Sequence, residues 1–212
     1  MHLLYFVLTA INMRSILLII LLTQSLHSYA QYTSDDIFRD APLTWLGINF
    51  TRVRIEGYNY LDQQFKEVNF IGWNEMARAG DDQLDLPRYL HRDRVNVFID
   101  EANRRNSSIT RNLRTSSSLT RDSILQSLSQ YNLPDKEGIG VIMFVGEIIH
   151  RGEHLRGKMA FVDMKTKELL LLKNFYGNGS GTGFHNTWGN AFKSALKRVK
   201  RNWDDWETDF AE

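Results

Sequence analysis

Residues 138–206 constrain this chain more than any other stretch. Gly138-Ile-Gly-Val-Ile-Met-Phe-Val-Gly-Glu-Ile-Ile149 is a nearly continuous apolar run. Its length and its Val and Ile content predict a strand buried on both faces. A polar loop over 151–157 leads to a second strand at 158–163. The short polar link 164–167 leads to a third at 168–175. Links this short favour antiparallel neighbours, so the expectation is a meander. Gly177-Asn-Gly-Ser-Gly-Thr-Gly183 follows. After it, Phe184, Trp188, Phe192, Ala195, Val199, Trp203 and Trp206 recur three and four residues apart. That spacing predicts one long amphipathic helix, capped by Asn186 or Thr187, with its apolar stripe laid on one face of the sheet.

The upstream half supplies the remaining elements. Residues 43–55 alternate apolar and polar with a slip near Arg52, which reads as a strand with a bulge. Val68, Ile71, Glu75 or Met76, and Ala79 mark a helix over 65–79, ended by Gly80-Asp-Asp. Val95, Val97 and Ile99 suggest an edge strand at 94–99, followed by a short helix to Asn106. Residues 107–118, rich in Ser, Thr and Arg, read as a mobile connection, and residues 120–131 as a short helix stopped near Leu133-Pro134. The expected fold class is α+β: a mixed, mainly antiparallel sheet of four or five strands, with the C-terminal helix packed on one face. One domain over 31–212 is long enough to bury a sizeable core.

The first thirty residues read as an export signal. Met13-Arg14 gives a short positive region, Ile16 to Leu22 an unbroken apolar stretch, and Ser28-Tyr29-Ala30 a small-x-small cleavage pattern. Two readings of residues 1–12 stand: a true start at Met13, or a longer signal. Asn12, Arg14, Thr23 and Gln24 keep the apolar run short of the ~18 residues a membrane span needs. No stable span is therefore expected after cleavage. Arg14 is the only Lys, Arg, Asp or Glu before residue 31, so the remainder carries 25 basic and 25 acidic side chains. This balance supplies no general attraction to nucleic acid. The chain has no cysteine, which excludes disulfides, thiolate chemistry and a lipoprotein anchor. The expected location is the periplasm or the exterior of a bacterium.

Three groups of residues carry candidate chemistry. His150-Arg-Gly-Glu-His154 matches the inverted zinc-protease pattern, which would make His150, Glu153 and His154 the centre of a metal-dependent hydrolase. That chemistry needs a helix, whereas this stretch lies between two strands and contains Gly152, so a polar hairpin loop competes. His91 and His185 have no spacing that links them to it. The second group is the glycine run. Gly177, Gly179, Gly181, Gly183, Asn186 and Thr187 could present backbone N–H groups to a small anionic ligand at a helix start. The run lacks the Gly-Lys-Ser/Thr ending of a P-loop and follows a meander strand, so a structural turn is the competing reading. The third group is Arg104, Arg105, Arg111, Arg114 and Arg121, which could meet an acidic polymer or form a solvated loop. Asp81, Asp82 and Asp85 lack calcium-loop spacing. No catalytic set and no cofactor motif is read.

Some segments carry a resemblance. Trp45-Leu-Gly-Ile-Asn-Phe-Thr51, Trp73-Asn74, residues 103–109, Phe161-Val-Asp-Met-Lys-Thr-Lys-Glu-Leu169 and Gly179-x-Gly-x-Gly-Phe-His-Asn-Thr-Trp188 resemble a family of uncharacterised exported bacterial α/β proteins. In that family a Gly-Phe-x-Asn-x-Trp junction, here Gly183, Phe184, Asn186 and Trp188, precedes the last helix. The resemblance implies export and an α/β fold, and no activity. A looser likeness of fold is to the amino-terminal domain of TolB and to lipoprotein cofactors of cell-wall synthases, which dock other proteins. The leading expectation is therefore a non-catalytic exported protein that docks an envelope protein or a cell-surface polymer.

Overall fold

β4 (Ile139–Ile149) is the axis of the molecule. The computed structural model describes residues 32–58, 63–115, 118–133 and 137–211. Residues 32–212 form one compact unit, and the export signal expected over 1–30 lies outside the described residues. On one side β4 pairs in parallel, first with β1 (Leu43–Asn49) and then, over its last three residues, with β2 (Arg54–Glu56). On its other side it pairs antiparallel with β5 (His154–Asp163), which pairs antiparallel with β6 (Leu169–Asn178). β3 (Val95–Val97) joins the outside of β1 in parallel. The order is β3-β1-β4-β5-β6, with β2 continuing the line of β1.

The α+β class and the mixed sheet are as expected, with six strands where four or five were read. The two long ladders are the antiparallel ones of the expected meander. The upstream strands are parallel because helices separate them in sequence, and a parallel return needs such a crossover. Residues 43–55 are two strands instead of one. Asn49 Oδ1 accepts from the Thr51 N–H and hydroxyl (3.0 and 2.6 Å), and the Val53 N–H donates to the Phe50 carbonyl (3.0 Å). That turn is the slip visible near Arg52. β5 begins at His154, so the polar loop after β4 is shorter than residues 151–157.

Helices cover both faces. α1 (Gln63–Arg78), α6 (Phe184–Arg201) and α7 (Trp203–Ala211) pack on one, where Phe50, Phe70, Trp73, Trp188 and Phe192 meet the inward residues of β4 and β5. α2 (Asp81–Leu84), α3 (Leu86–Tyr89) and α4 (Asp100–Ser107) are short. α5 (Arg121–Ser129) covers part of the other face, with Ile124, Leu128 and Tyr131 against Leu46, Phe144 and Val162. The expected single C-terminal helix is broken. The Asn202 N–H closes α6 on the Arg198 carbonyl (3.0 Å), and Asn202 in turn accepts from the Trp206 N–H (2.9 Å). The apolar spacing runs through the break because Trp203 and Trp206 both return to the core. The cap of α6 is Gly183, at φ +82°, and neither Asn186 nor Thr187, which lie inside its first turn.

β1 has an unusual outer margin. β3 pairs with it only as far as Trp45, and the Phe98 N–H then donates to the Trp45 carbonyl (2.9 Å). Beyond that point side chains replace the strand. Asn74 of α1 accepts from the Ile48 N–H (2.6 Å) and donates to the Ile48 carbonyl (3.1 Å) and to Asn103 (2.8 Å). Asn106 of α4 accepts from the Phe50 N–H (2.8 Å) and donates to the same Ile48 carbonyl (2.8 Å). Buried backbone groups need such partners. The approach is close: a Cβ at Gly47 would lie 2.9 Å from both Asn74 Oδ1 and the Ala102 methyl, and Gly47 sits at φ +99°. Gly47, Ile48, Asn74, Asn103 and Asn106, from separate segments of the resemblance, thus come together as one structural seam.

Candidate functional site

The expected site residues fall in three places. His150 opens the β4–β5 turn and His154 is the first residue of β5, so neither lies on a helix. The His150 ring rests on Tyr58 (4.6 Å between centroids), beyond β2, and the His154 ring on Tyr176 of β6 (5.5 Å). These tyrosines flank the hairpin on opposite sides. Glu153 is exposed at φ +48°, and its carbonyl accepts from the Gly179 N–H. His185 stacks on Trp73, and His91 stacks on Trp203. Among the described residues no three His, Asp or Glu side chains form a group able to hold a metal ion.

The glycine run is a packed turn. A Cβ at Gly177 would stand 2.0 Å from the Ala191 carbonyl oxygen, so the missing side chain lets α6 cross β6 at close range. Side chains of α6 bind the carbonyls of the run. Asn190 donates to Ser180 (2.9 Å), Thr187 to Gly181 (3.2 Å) and Asn186 to Thr182 (3.3 Å). Gly179 lies against the Thr187 methyl and the Glu153 carbonyl. No residue of the run lines the four cavities of about 340 to 610 Å³ found among the described residues.

The arginines divide. Arg104 and Arg105 both bind Glu101 (2.6 and 2.9 Å), and the Arg105 guanidinium lies over the Tyr131 ring (4.6 Å). Burial pushes the Glu101 carboxyl up, but the hydrogen bonds from Arg104, the Asn132 backbone and Arg105 outweigh it and hold the group below its ordinary value. Arg114 donates to the Tyr58 carbonyl (3.1 Å), and Arg121 is exposed on the first turn of α5. Arg111 ties the expected mobile connection to the β1–β2 turn, donating to the Thr51 carbonyl (2.9 Å) and to that of Val53. Asp85 caps α3 by accepting from the Arg88 N–H (3.1 Å).

One cavity, about 610 Å³, lies elsewhere. β6 ends the sheet and, among the described residues, pairs only with β5. Its residues alternate: Phe175 points into the helix-covered core, while Asn174 and Tyr176 are exposed on the other face, past the end of α5. The cavity is lined from both faces, by Lys158, Asn174 and Tyr176 on one and by Phe175, Val199 and Trp206 on the other. It runs from Gly146 and Glu147 of β4 across Gly157 of β5 to the outer margin of β6 around residues 174–176. Arg198 of α6 lies over the Tyr176 ring, 4.6 Å from its centroid. Lys158 donates to Asn174 (2.8 Å). Neither Arg198 nor Lys158 has a carboxylate partner among the described residues. Glu147 also lines the cavity and is matched by two arginines, Arg54 (3.1 Å) and Arg156. Burial pushes its carboxyl up, and Arg156 and Arg54 together hold it below its ordinary value. The cavity thus combines an apolar floor, aromatic walls and a positive rim.

Sequence reasoning passed over Tyr176, Arg198, Lys158 and Glu147. One signal was present. Asn174 and Tyr176 bracket Phe175 at the end of the last strand of a meander, and a last strand usually lies at an edge. The approach of Arg198 depends on where α6 crosses, which the helical spacing does not contain.

No family model and no curated protein matches the sequence. Among solved structures the chain is similar to a hypothetical protein from Chlamydia trachomatis, at 6% identity over 80% of this chain and 99% of that one, with a TM-score of 0.38. It is also similar to a Xanthomonas campestris protein of the family DUF330, at 9% identity over 85% and 87% of the two chains, with a TM-score of 0.29.

Proposed function

We propose that the chain is an exported, non-catalytic docking protein, and that its partner adds an extended acidic segment along the outer margin of β6. The cavity around Asn174–Tyr176 carries this reading. An unpaired strand margin offers backbone N–H and C=O groups to a second strand, and flanking pockets receive alternate side chains. Phe175, Trp206 and the stem of Arg198 suit an aromatic or aliphatic side chain. The partner is acidic because Lys158 and Arg198 border the groove without carboxylates, while Glu147 is already matched. The export half rests on the residues before 31 and on the family resemblance at Gly183, Phe184, Asn186 and Trp188.

The test is to pan a random decapeptide library on the immobilised chain and to follow hydrogen exchange with the recovered peptides. The expected result is enrichment of Asp- and Glu-rich peptides that slow exchange over 170–178, with loss of both effects in Lys158→Glu/Arg198→Glu. Slowed exchange on another surface removes β6 as the docking site. Neutral or basic peptides that protect β6 remove the acidic partner and leave the docking surface. A dimer in solution with protected β6 amides would assign the margin to a second copy, and retention of acidic polysaccharide in place of peptides would assign it to a polymer.

A further inference from the structure

A second cavity, about 370 Å³, opens where the β1–β2 turn meets the loop after α4 and the outer side of α5. Arg52, Arg105 and Arg111 line it together with Thr51, Ser108 and Thr110, and among the described residues no carboxylate lines it. Each guanidinium is held from behind. Arg52 donates to Gln126 (3.0 Å), and Arg105 is bound by the buried Glu101, which offsets its charge from outside the cavity. Arg111 is half-buried, and every one of its acceptors is a neutral carbonyl: Thr51, Val53, Asn112 and Thr115. Its hydrogen bonds are satisfied but its charge is not. Burial and the neighbouring Arg52 both push the Arg111 guanidinium below its ordinary value, the mark of a cation with no anion beside it. The Thr110 hydroxyl and the Thr110 and Arg111 amides have no protein acceptor among the described residues.

We infer that this cavity is a binding site for a phosphate group, presented either on a small phosphate ester or on a phosphate-rich polymer. Guanidiniums held in place, with hydroxyl and amide donors between them, match the several acceptor oxygens of phosphate. The charge has the right sign: a phosphate monoester carries about −1.5 to −2 at neutral pH, and the acceptors of the half-buried Arg111 are all neutral carbonyls. The site is separate from the β6 margin and does not depend on the docking reading.

The experiment is thermal unfolding of the whole chain in inorganic phosphate, in glycerol 3-phosphate, in poly(glycerol phosphate) and in poly-glutamate, each against potassium chloride at equal ionic strength. Phosphate and its ester should raise Tm by about 3 °C or more over chloride. A further gain with the polymer identifies the polymeric source, and no further gain identifies the small ester. Arg52→Gln should weaken phosphate binding about tenfold, read as amide shifts of residues 108–111 in a phosphate titration. Arg111→Gln should do the same, but Arg111 also ties down the β1–β2 turn, so Arg52 decides. Arg198→Gln, at the other cavity, should leave phosphate binding unchanged. Equal Tm in phosphate and chloride overturns the assignment. So does poly-glutamate acting as strongly as phosphate, or Arg52→Gln binding phosphate within about twofold of the native chain.

Discussion

Ile48 turns one N–H and one carbonyl toward a side where no strand continues, and the amides of Asn74 and Asn106 meet both. Removing one amide strands buried backbone groups, at a cost of about 1–3 kcal/mol each. Asn74→Ala should therefore lower stability by at least that much in urea denaturation. Asn103→Ala, whose partners are side chains, should cost less. Gly177→Ala is the complementary case. Its methyl has no room before the Ala191 carbonyl, and the strain of overpacking, about 1–3 kcal/mol, should appear as a lower Tm with α6 displaced from β6. Little of this was legible in the sequence. Asn74 and Asn106 stand in helical patterns that say which face is apolar, not where an amide will point. Gly177 read as part of an anion-binding loop or a structural turn, and its crowding was hidden because it comes from Ala191, fourteen residues further on. The inverted zinc pattern misleads for the same reason. Its spacing is a property of a helix, and on a hairpin it sends the two rings to tyrosines on opposite sides.

The elements were more legible than their joints. β4, β5, β6, α1 and α5 lie close to where apolar spacing put them, because that spacing reports a buried face directly. The joints depend on single residues. Asn202 ends α6, yet Trp203 and Trp206 keep the apolar stripe in register, so the pattern reads through the break. If α7 is anchored by these rings, Trp203→Ala should cost about 3–5 kcal/mol in denaturant unfolding, while the exposed Lys197→Ala should stay within about 0.5 kcal/mol. The turn between β1 and β2 is a similar joint. The Asn49 side chain folds back on Thr51, and the chain resumes along the same neighbour, β4.

At the scale of the molecule, stability should track two carboxylates. Glu101 and Glu147 both have folded pKa values below the ordinary 4.5. A depressed carboxylate contributes stability that is fully present above its unfolded pKa and is lost as pH falls through the folded value. The urea midpoint should hold steady from neutral pH down to about 4.5 and then fall, and Glu101→Gln with Glu147→Gln should flatten that fall. The same scale sets what the chain can present outward. A sheet that ends in β6 keeps one margin unpaired among the described residues, and the cavity of about 610 Å³ reaches that margin. Sequence order hinted at the margin, since the last strand of a meander has no later strand to cover it. The cavity needs the crossing of α6 and was invisible. The asparagine seam has one more consequence, for the host in which the chain is made. Asn49-Phe-Thr, Asn106-Ser-Ser and Asn178-Gly-Ser each spell the acceptor sequence for an N-linked glycan. In the folded chain Asn49 and Asn106 are buried and their amides engaged, whereas Asn178 is exposed. A eukaryotic secretory pathway that modifies the nascent chain would place sugars where β1 must close, so the folded product from such a host should carry a glycan at Asn178 alone, and the molecules glycosylated at Asn49 or Asn106 should be retained unfolded.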